Sequence, residues 1–422
     1  MTGLVIIIFV LGYIAIAFEH KIKVDKAASA LVTGVVCWLL YFFSEPSITS
    51  PESELIHHLG EIAAILFFLM GAMTIVEVVD SHNGFSLITD AIITKSKPKL
   101  LILITILTFF LSAILDNLTT SIVMASLCGK LLTDRNDRLW FVSMVIIAAN
   151  AGGAWSPLGD VTTTMLWIGG QVTAYNIIVK TLLPSIVVAV IPLLIILYRF
   201  RKQKIAGSSV NDNNYTAESK IIFFTGIGLL IFVPVFKTIT HMPPFMGMLL
   251  ALGFIWIVSS IIHLEKHADE RYKYSVARAL RKIDTSSILF FLGILLAVSA
   301  LQSFGILRHM AQFIVKHIEN EYVIGTILGL LSAIIDNVPI VAASQGMFSL
   351  ELYPTDHVFW EFLALSAGTG GSAIIIGSAA GVAIMGIEKI NFFWYFKKIC
   401  WLALVGFFAG LIVYILQQSI IG

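Results

Sequence analysis

The 422-residue chain predicts an all-α polytopic membrane protein made of two inverted-topology repeats. Each repeat is expected to hold about five transmembrane helices, one of them broken, plus a helical hairpin. Three observations carry this. First, 58% of the residues are hydrophobic and 13% are charged, against about 25% charged in soluble domains. Apolar runs of about 17–25 residues recur along the whole length, the length a bilayer demands. Second, Ser112-Ala113-Ile114-Leu115-Asp116-Asn117-Leu118-Thr119-Thr120 returns 220 positions later as Ser332-Ala333-Ile334-Ile335-Asp336-Asn337-Val338-Pro339. Third, of 27 Lys and Arg only Lys180, Lys237, Arg308 and Lys316 fall in loops on one side of the resulting topology, and the other 23 fall on the opposite side. By the positive-inside rule this puts the N-terminus outside.

Taken in order, the first helix is expected over 3–18, followed by a short basic loop with Lys21, Lys23 and Lys26. No basic region precedes it and no small-residue cleavage site follows, so it reads as a membrane helix and not a signal peptide. The second and third helices are expected over 27–43 and 61–79, with an acidic loop (Glu45, Glu52, Glu54) between them. A hairpin over 98–132 carries Asp116-Asn117 at its tip. A charged loop over 129–139 leads to a broken helix over 139–170, interrupted by Asn150-Ala151-Gly152-Gly153-Ala154-Trp155-Ser156-Pro157-Leu158-Gly159-Asp160. A last helix over 181–198 ends the first repeat, 1–205, and a polar linker over 206–220 follows.

The second repeat, 221–422, follows the same plan, with helices over 221–236, 245–263 and 284–303. Its hairpin spans 322–350. Its broken helix spans 358–386 and contains Ala367-Gly368-Thr369-Gly370-Gly371-Ser372, and a final helix covers 398–416. Matched landmarks stand at offsets of 218 to 223 in the same order, which points to duplication. Five crossings per repeat is an odd number, so the repeats are inverted. The hairpin arms around Asp336 are short for spanning and suit re-entrant helices.

Ionisable groups at membrane depth are costly and mark ion pathways. Broken helices in matching positions of two halves point to a midplane binding site. Freed carbonyls, carboxylates and hydroxyls suit a small hard cation. The candidate cation- and proton-binding residues are Asp116, Asn117, Thr119, Thr120, Asn150, Gly152, Gly153, Ser156, Asp160 and Thr163 in the first repeat. In the second they are Ser332, Asp336, Asn337, Ser366, Thr369 and Gly370. The metal expected on them is Na+. A carboxylate that holds either Na+ or H+, never both, is already an exchange mechanism. Asp160 breaks the symmetry, since its counterpart by offset is Ser378. Glu77, at the end of the third helix near Asp80 and His82, is a possible accessory acid.

Blander readings compete. Asp and Asn at a hairpin tip also cap the helix that follows. Gly-Gly in a membrane helix often serves close packing. Cys37, Cys128 and Cys400 have no metal or disulfide spacing. His57, His58 and His82 read as solvated loop residues. An intramembrane aspartyl protease using Asp116 and Asp336 is chemically sound, but Gly-x-Gly-Asp is absent and catalytic residues are not expected. An anion or metalloid carrier, of arsenite or a carboxylate, would want cysteine or Arg and Lys at the tips, where none stands. Nothing in the near-neutral charge suggests a nucleic-acid partner.

At four stretches the sequence resembles the NhaD-type Na+/H+ antiporters of the ion transporter superfamily. They are Phe67-Phe68-Leu69-Met70-Gly71-Ala72-Met73-Thr74-Ile75-Val76-Glu77, Asp116-Asn117-Leu118-Thr119-Thr120, the long stretch from Asn150 through Asp160 to Thr164, and Asp336-Asn337-Val338-Pro339. The resemblance spans nearly the whole chain. It implies exchange of Na+ and Li+ for H+ in a bacterial inner membrane, no cofactor beyond the transported ions, the lipid bilayer as partner, and a homodimer. Superfamily dicarboxylate carriers have Ser-Asn-Thr at the tips. Here carboxylates stand where a substrate anion would be held, which argues for transport of bare cations.

Overall fold

The computed structural model describes residues 1–17, 19–44, 51–89, 94, 96–201, 203 and 216–421. The chain opens with α1 (Thr2–Ala17), α2 (Glu19–Ile22), α3 (Lys26–Ser44), α4 (Pro51–Ser81) and α5 (Ser86–Thr89). A hairpin of α6 (Lys97–Leu115) and α7 (Asn117–Leu131) follows. Next come a segment broken into α8 (Arg135–Gly153) and α9 (Val161–Ile168), and then α10 (Ala174–Arg199). The plan repeats with α11 (Ala217–Thr240), α12 (Pro244–Ile262), the short α13 (Ala268–Lys273) and α14 (Val276–Lys282), and α15 (Thr285–Ser303). An additional helix, α16 (Ile306–His317), precedes the second hairpin, α17 (Glu321–Ser332) and α18 (Asn337–Met347). The second broken segment is α19 (Val358–Gly370) and α20 (Ala379–Glu388), and α21 (Phe392–Lys398) and α22 (Cys400–Ile421) close the chain. Among the described residues there is no strand. Helices α3, α4, α6, α10, α11, α12, α15 and α22 are long and apolar enough to cross a membrane, and the protein is a multi-pass membrane protein. Phe43, Phe224, Ile257 and Ile412 stand exposed on their outer faces, as lipid contact requires and water would penalise.

Local chemistry moves several boundaries from their expected places. Helix α4 begins at Pro51 and not at 61, because proline suits the first helical turn and Glu52 and Glu54 favour its positive end. Part of the expected acidic loop is therefore helix, and Tyr41 Oη donates to Glu54 Oε2 at 2.7 Å. Helix α10 begins seven residues before the expected 181, started by Thr173, which accepts from Asn176 N. The expected charged loop over 129–139 shrinks to 132–134. Its neighbours are helical and ion-paired, with Asp134 capping α8 and Arg138 on Glu388 at 2.7 Å. Helix α16 escaped an apolar-run reading because it is amphipathic, with Ile306, Leu307 and Ala311 buried and Arg308 exposed. Most of the expected 206–220 linker lies outside the described residues, and α11 begins within it at Ala217. The histidines also depart from expectation. His57 and His58 lie within α4; His57 is exposed, as expected, and His58 is packed against Trp38 at 6.0 Å. His82 is buried, because His263 and Tyr274 cover it with ring centroids at 5.1 and 5.0 Å.

Two helix groups form the body. In one, α3 lies along α15 and α4 packs on α11 and α12. Close approach is built in there, since a Cβ on Gly34 would stand 2.6 Å from Gly293 O. In the other group, each hairpin packs on a broken segment, α6 and α7 on α8 and α17 on α19, and α10 pairs with α22. The contacts of this group recur in both halves. Ser112 Oγ donates to Ala149 O at 2.6 Å, and Ser332 Oγ to Ala367 O at 2.7 Å. A Cβ on Gly152 would collide with Phe109 O, and one on Gly370 with Gly329 O. Both are backbone clashes that no side-chain adjustment relieves.

Candidate functional site

The centre of the molecule is where the tips of the two hairpins meet the breaks in α8–α9 and α19–α20. Four helices begin there. Asp116 caps α7, Asp160 caps α9, Asp336 caps α18 and Ser378 caps α20. Each helix start carries about half a positive elementary charge. In an anion carrier such a ring of helix starts would hold the substrate. Here three of the four are met by fixed carboxylates of the chain itself.

Of those three carboxylates Asp160 is the least accessible to solvent. Asp160 is 1% exposed. Its donors are Asn337 Nδ2, at 3.4 and 3.2 Å from its two oxygens, and Thr162 N at 3.2 Å. Both donors are neutral, and among the described residues no Lys, Arg or His forms an ion pair with it. The asymmetry of the halves makes the room, because a Cβ on Gly368, the counterpart of Asn150, would stand 3.3 Å from Asp160 Oδ2. Beside the carboxylate runs a chain of amides and hydroxyls. Asn117 Nδ2 donates to Asn150 Oδ1 at 3.1 Å, and Asn150 Nδ2 donates to Ser372 Oγ and Ser378 Oγ, both at 2.9 Å. The hydroxyls of Thr120 and Thr163 are buried with no hydrogen-bond partner.

The structure therefore brings Asn117, Asn150, Asp160 and Asn337 into one polar centre, with Thr120 and Thr163 buried on the helices that start from it. Other candidates spend their polar atoms elsewhere. Asp116 directs both oxygens to Thr119, to N at 2.7 Å and Oγ1 at 2.9 Å. Asp336 accepts from Val338 N at 3.2 Å. Both are half-buried. Ser156 donates to Ala113 O, Ser332 to Ala367 O, Ser366 to Leu363 O and Thr369 to Leu365 O. Gly152 and Gly370 provide the close approaches above, and Gly153 lies against Gly159 O. Glu77 is remote, on Lys282 Nζ at 2.7 Å and Ser81. Sequence reasoning missed Ser372 and Ser378 as members of the centre, although Ser378 was visible as the offset partner of Asp160. It also missed Glu361, buried on α19 and held by Tyr414 Oη at 2.7 Å, whose signal was a lone acid in an apolar run.

A buried carboxylate without a cationic partner is costly unless it takes up a proton or binds a cation. Amide and hydroxyl oxygens around it suit a hard monovalent ion. The arrangement can hold H+ or a small cation.

Comparison with known proteins agrees. A family model described as CitMHS, citrate transporter, matches residues 13–361. The chain is 46% identical over 417 residues to Sodium/proton antiporter 1 of Arabidopsis thaliana, covering 98% of this chain and 72% of that protein. It is 29% identical over 449 residues to the Na(+)/H(+) antiporter NhaD of Alkalimonas amylolytica, covering 98% and 90%. Among solved structures, the Alcanivorax borkumensis YdaH transporter, whose crystal structure is described as revealing an unusual topology, aligns with a TM-score of 0.59 at 12% identity. That alignment covers 99% of this chain and 98% of that one, and it speaks to the fold alone. These relatives are transporters, not enzymes.

Proposed function

We propose that the chain, which belongs to the CitMHS citrate-transporter family and within it is similar to the NhaD-type antiporters, exchanges Na+, and Li+ with it, for H+. The observation that carries this is the isolated burial of Asp160. Among the described residues its charge is met by no cationic side chain, so the folded protein needs H+ or a metal cation there. The two ions compete for one carboxylate, and loading one expels the other. Asn337 serves both states: its Nδ2 faces the carboxylate now, and rotation of the amide would present Oδ1 to a bound cation. Asn117, Asn150, Thr120 and Thr163 supply further oxygens, and Asp116 and Asp336 hold the hairpin tips.

The matched serine and glycine contacts of the two halves support reading 1–205 and 221–422 as inverted repeats with re-entrant hairpins, able to expose one centre to either side in turn. The hairpins and broken segments would move against the α3, α4, α11, α12 and α15 group. We place the N-terminus outside a bacterial inner membrane, as a homodimer needing no cofactor beyond the transported ions. A citrate or arsenite cargo is disfavoured: the helix starts already carry fixed carboxylates, and among the described residues no Lys or Arg hydrogen-bonds to the centre.

The test is proton movement in proteoliposomes holding an acidic interior. Addition of NaCl or LiCl, but not KCl, should dissipate the gradient in the wild type. Asp160→Asn should abolish the response, and Asp116→Asn should leave a measurable one. No cation response between pH 6.5 and 9, with citrate or arsenite taken up instead, would overturn the reading.

A further inference from the structure

A second set of buried titratable groups lies away from the exchange centre, where α4 and α12 end and α11 begins. His82 follows α4 and His263 follows α12, and they are 3% and 1% exposed. Their ring centroids are 5.1 Å apart. Each Nδ1 lies on a carbonyl four residues earlier, Val78 O at 2.7 Å and Ser259 O at 2.6 Å. A carbonyl only accepts, so in both rings Nδ1 carries the proton and, in the neutral form, Nε2 keeps a bare lone pair. Both Nε2 atoms are buried with no hydrogen-bond partner. Two orphaned basic nitrogens side by side in a protein interior demand a reason.

The charged surroundings are asymmetric. From α11, Glu218 Oε2 stands 3.6 Å from His263 Nε2, and Lys266 Nζ already binds it. Tyr274 stacks on His263 at 5.0 Å and also covers His82. Lys266 and Lys273 lie over the Tyr274 ring at 4.9 and 5.5 Å. On α4 itself are Asp80 and Glu77, the latter paired with Lys282 of α14. A cavity of about 310 Å³ lined by His82, Glu218, Lys266 and Tyr274 gives access to His82.

We propose that His82 and His263 form a proton-binding site, distinct from the exchange carboxylate, through which acidity on this face of the protein loosens the junction of α4, α11 and α12. The neutral pair suits the packed arrangement. A proton added at His263 Nε2 would face Glu218 Oε2, which Lys266 already binds. A second would set two imidazolium rings 5.1 Å apart in a covered pocket, so the junction must open to admit it. Burial pushes the His82 imidazole from its ordinary 6.5 down to about 4; the hydrogen bond to Val78 O and the Glu218 charge oppose this, and the His263 and Lys266 charges add to it. A group depressed in the fold contributes its stability in full above about 6.5 and loses it as pH falls toward about 4. Bare lone pairs would also attract a transition metal, but among the described residues no three His, Cys, Asp or Glu side chains are placed to hold one. On the topology proposed above this face is cytoplasmic, so the site would report internal acidity.

The test compares the full-length wild type with the double variant His82→Asn, His263→Asn. Asparagine keeps an N–H near the Nδ1 position for the carbonyl and does not titrate. Thermal unfolding in detergent from pH 8 to 4 should show the wild type losing stability below pH 6.5 faster than the variant. Antiport at saturating Na+, where competition at Asp160 is suppressed, should show the acid limb of the variant moved by about one pH unit toward acid. If the double variant does not accumulate, His263→Asn alone and histidine NMR titration of the wild type replace it. Two imidazoles titrating near 6.5, or superimposable pH curves in the two proteins, would overturn the proposal. So would micromolar Zn2+ inhibition confined to the wild type, which would make the pair a metal site. A stability difference that persists while no variant, nor the wild type, exchanges Na+ would support this site and count against the exchange reading.

Discussion

The two broken segments, α8–α9 and α19–α20, share a skeleton and differ in chemistry. In each, a serine of the hairpin reaches a carbonyl of the broken helix at 2.6–2.7 Å, and a glycine lies flush against hairpin backbone. Yet the amide and the acid both come from the first segment, as Asn150 and Asp160, where the second has Gly368 and Ser378. The skeleton is thus duplicated, and the charge stands in one half alone. Had Gly368 carried a side chain, it would have pressed on Asp160 Oδ2. Glycine at 368 thus leaves the room that Asp160 occupies.

This comparison is broken most directly by exchanging the chemistry. Asp160→Asn should reduce Na+-driven proton movement to the level of empty vesicles. Ser378→Ala, at the matching cap, should cost about one hydrogen bond, ~1 kcal/mol or about fivefold in apparent Na+ affinity. Equal losses at the two positions would mean that the asymmetry does not locate the ion. The skeleton should respond in the opposite manner, symmetrically. Gly152→Ala and Gly370→Ala each drive a methyl into hairpin backbone, and each should lower thermal stability by at least about 1–3 kcal/mol. A large effect in one half only, measured by melting in detergent, would show that the halves do not bear load alike.

The smallest effect sharpens a difference between the hairpin tips. Asp116 holds Thr119 by two bonds and adopts φ 86°, ψ 159°, a backbone setting rare for anything but glycine. Asp336 makes one capping bond at φ −48°. Alanine at either position should cost about 1 kcal/mol as a lost cap, with the larger loss at Asp116. Loss of all exchange in Asp336→Ala, with stability unchanged, would move Asp336 from the scaffold of the site into its chemistry.

Much of the fold was legible in the sequence, because bilayer thickness imposes run length and run length survives averaging. The boundaries that moved are those where polar residues continue a helix: Pro51 to the expected start of α4, and Thr173 before α10. No hydropathy pattern marks those turns, which are held by caps and tertiary contacts. The buried state of His82 was equally illegible, since the rings that cover it, His263 and Tyr274, stand beyond the end of α12.

The sequence by itself determined the class of protein, the broken helices, and the stock of carboxylates, amides and hydroxyls at matching offsets. Those follow from local pattern and counting. Only the tertiary structure decided which acid stands alone. Asp160 and Asn337 meet across 177 positions, and Asn150 and Ser378 across 228. Asp116 and Asp336, equally prominent in the sequence, are instead half-buried caps. Burial and pairing are properties of what surrounds a group, and for a carboxylate they set the cost of its charge. All three acids cap a helix, and it is that cost, which no stretch of sequence carries alone, that sets Asp160 apart.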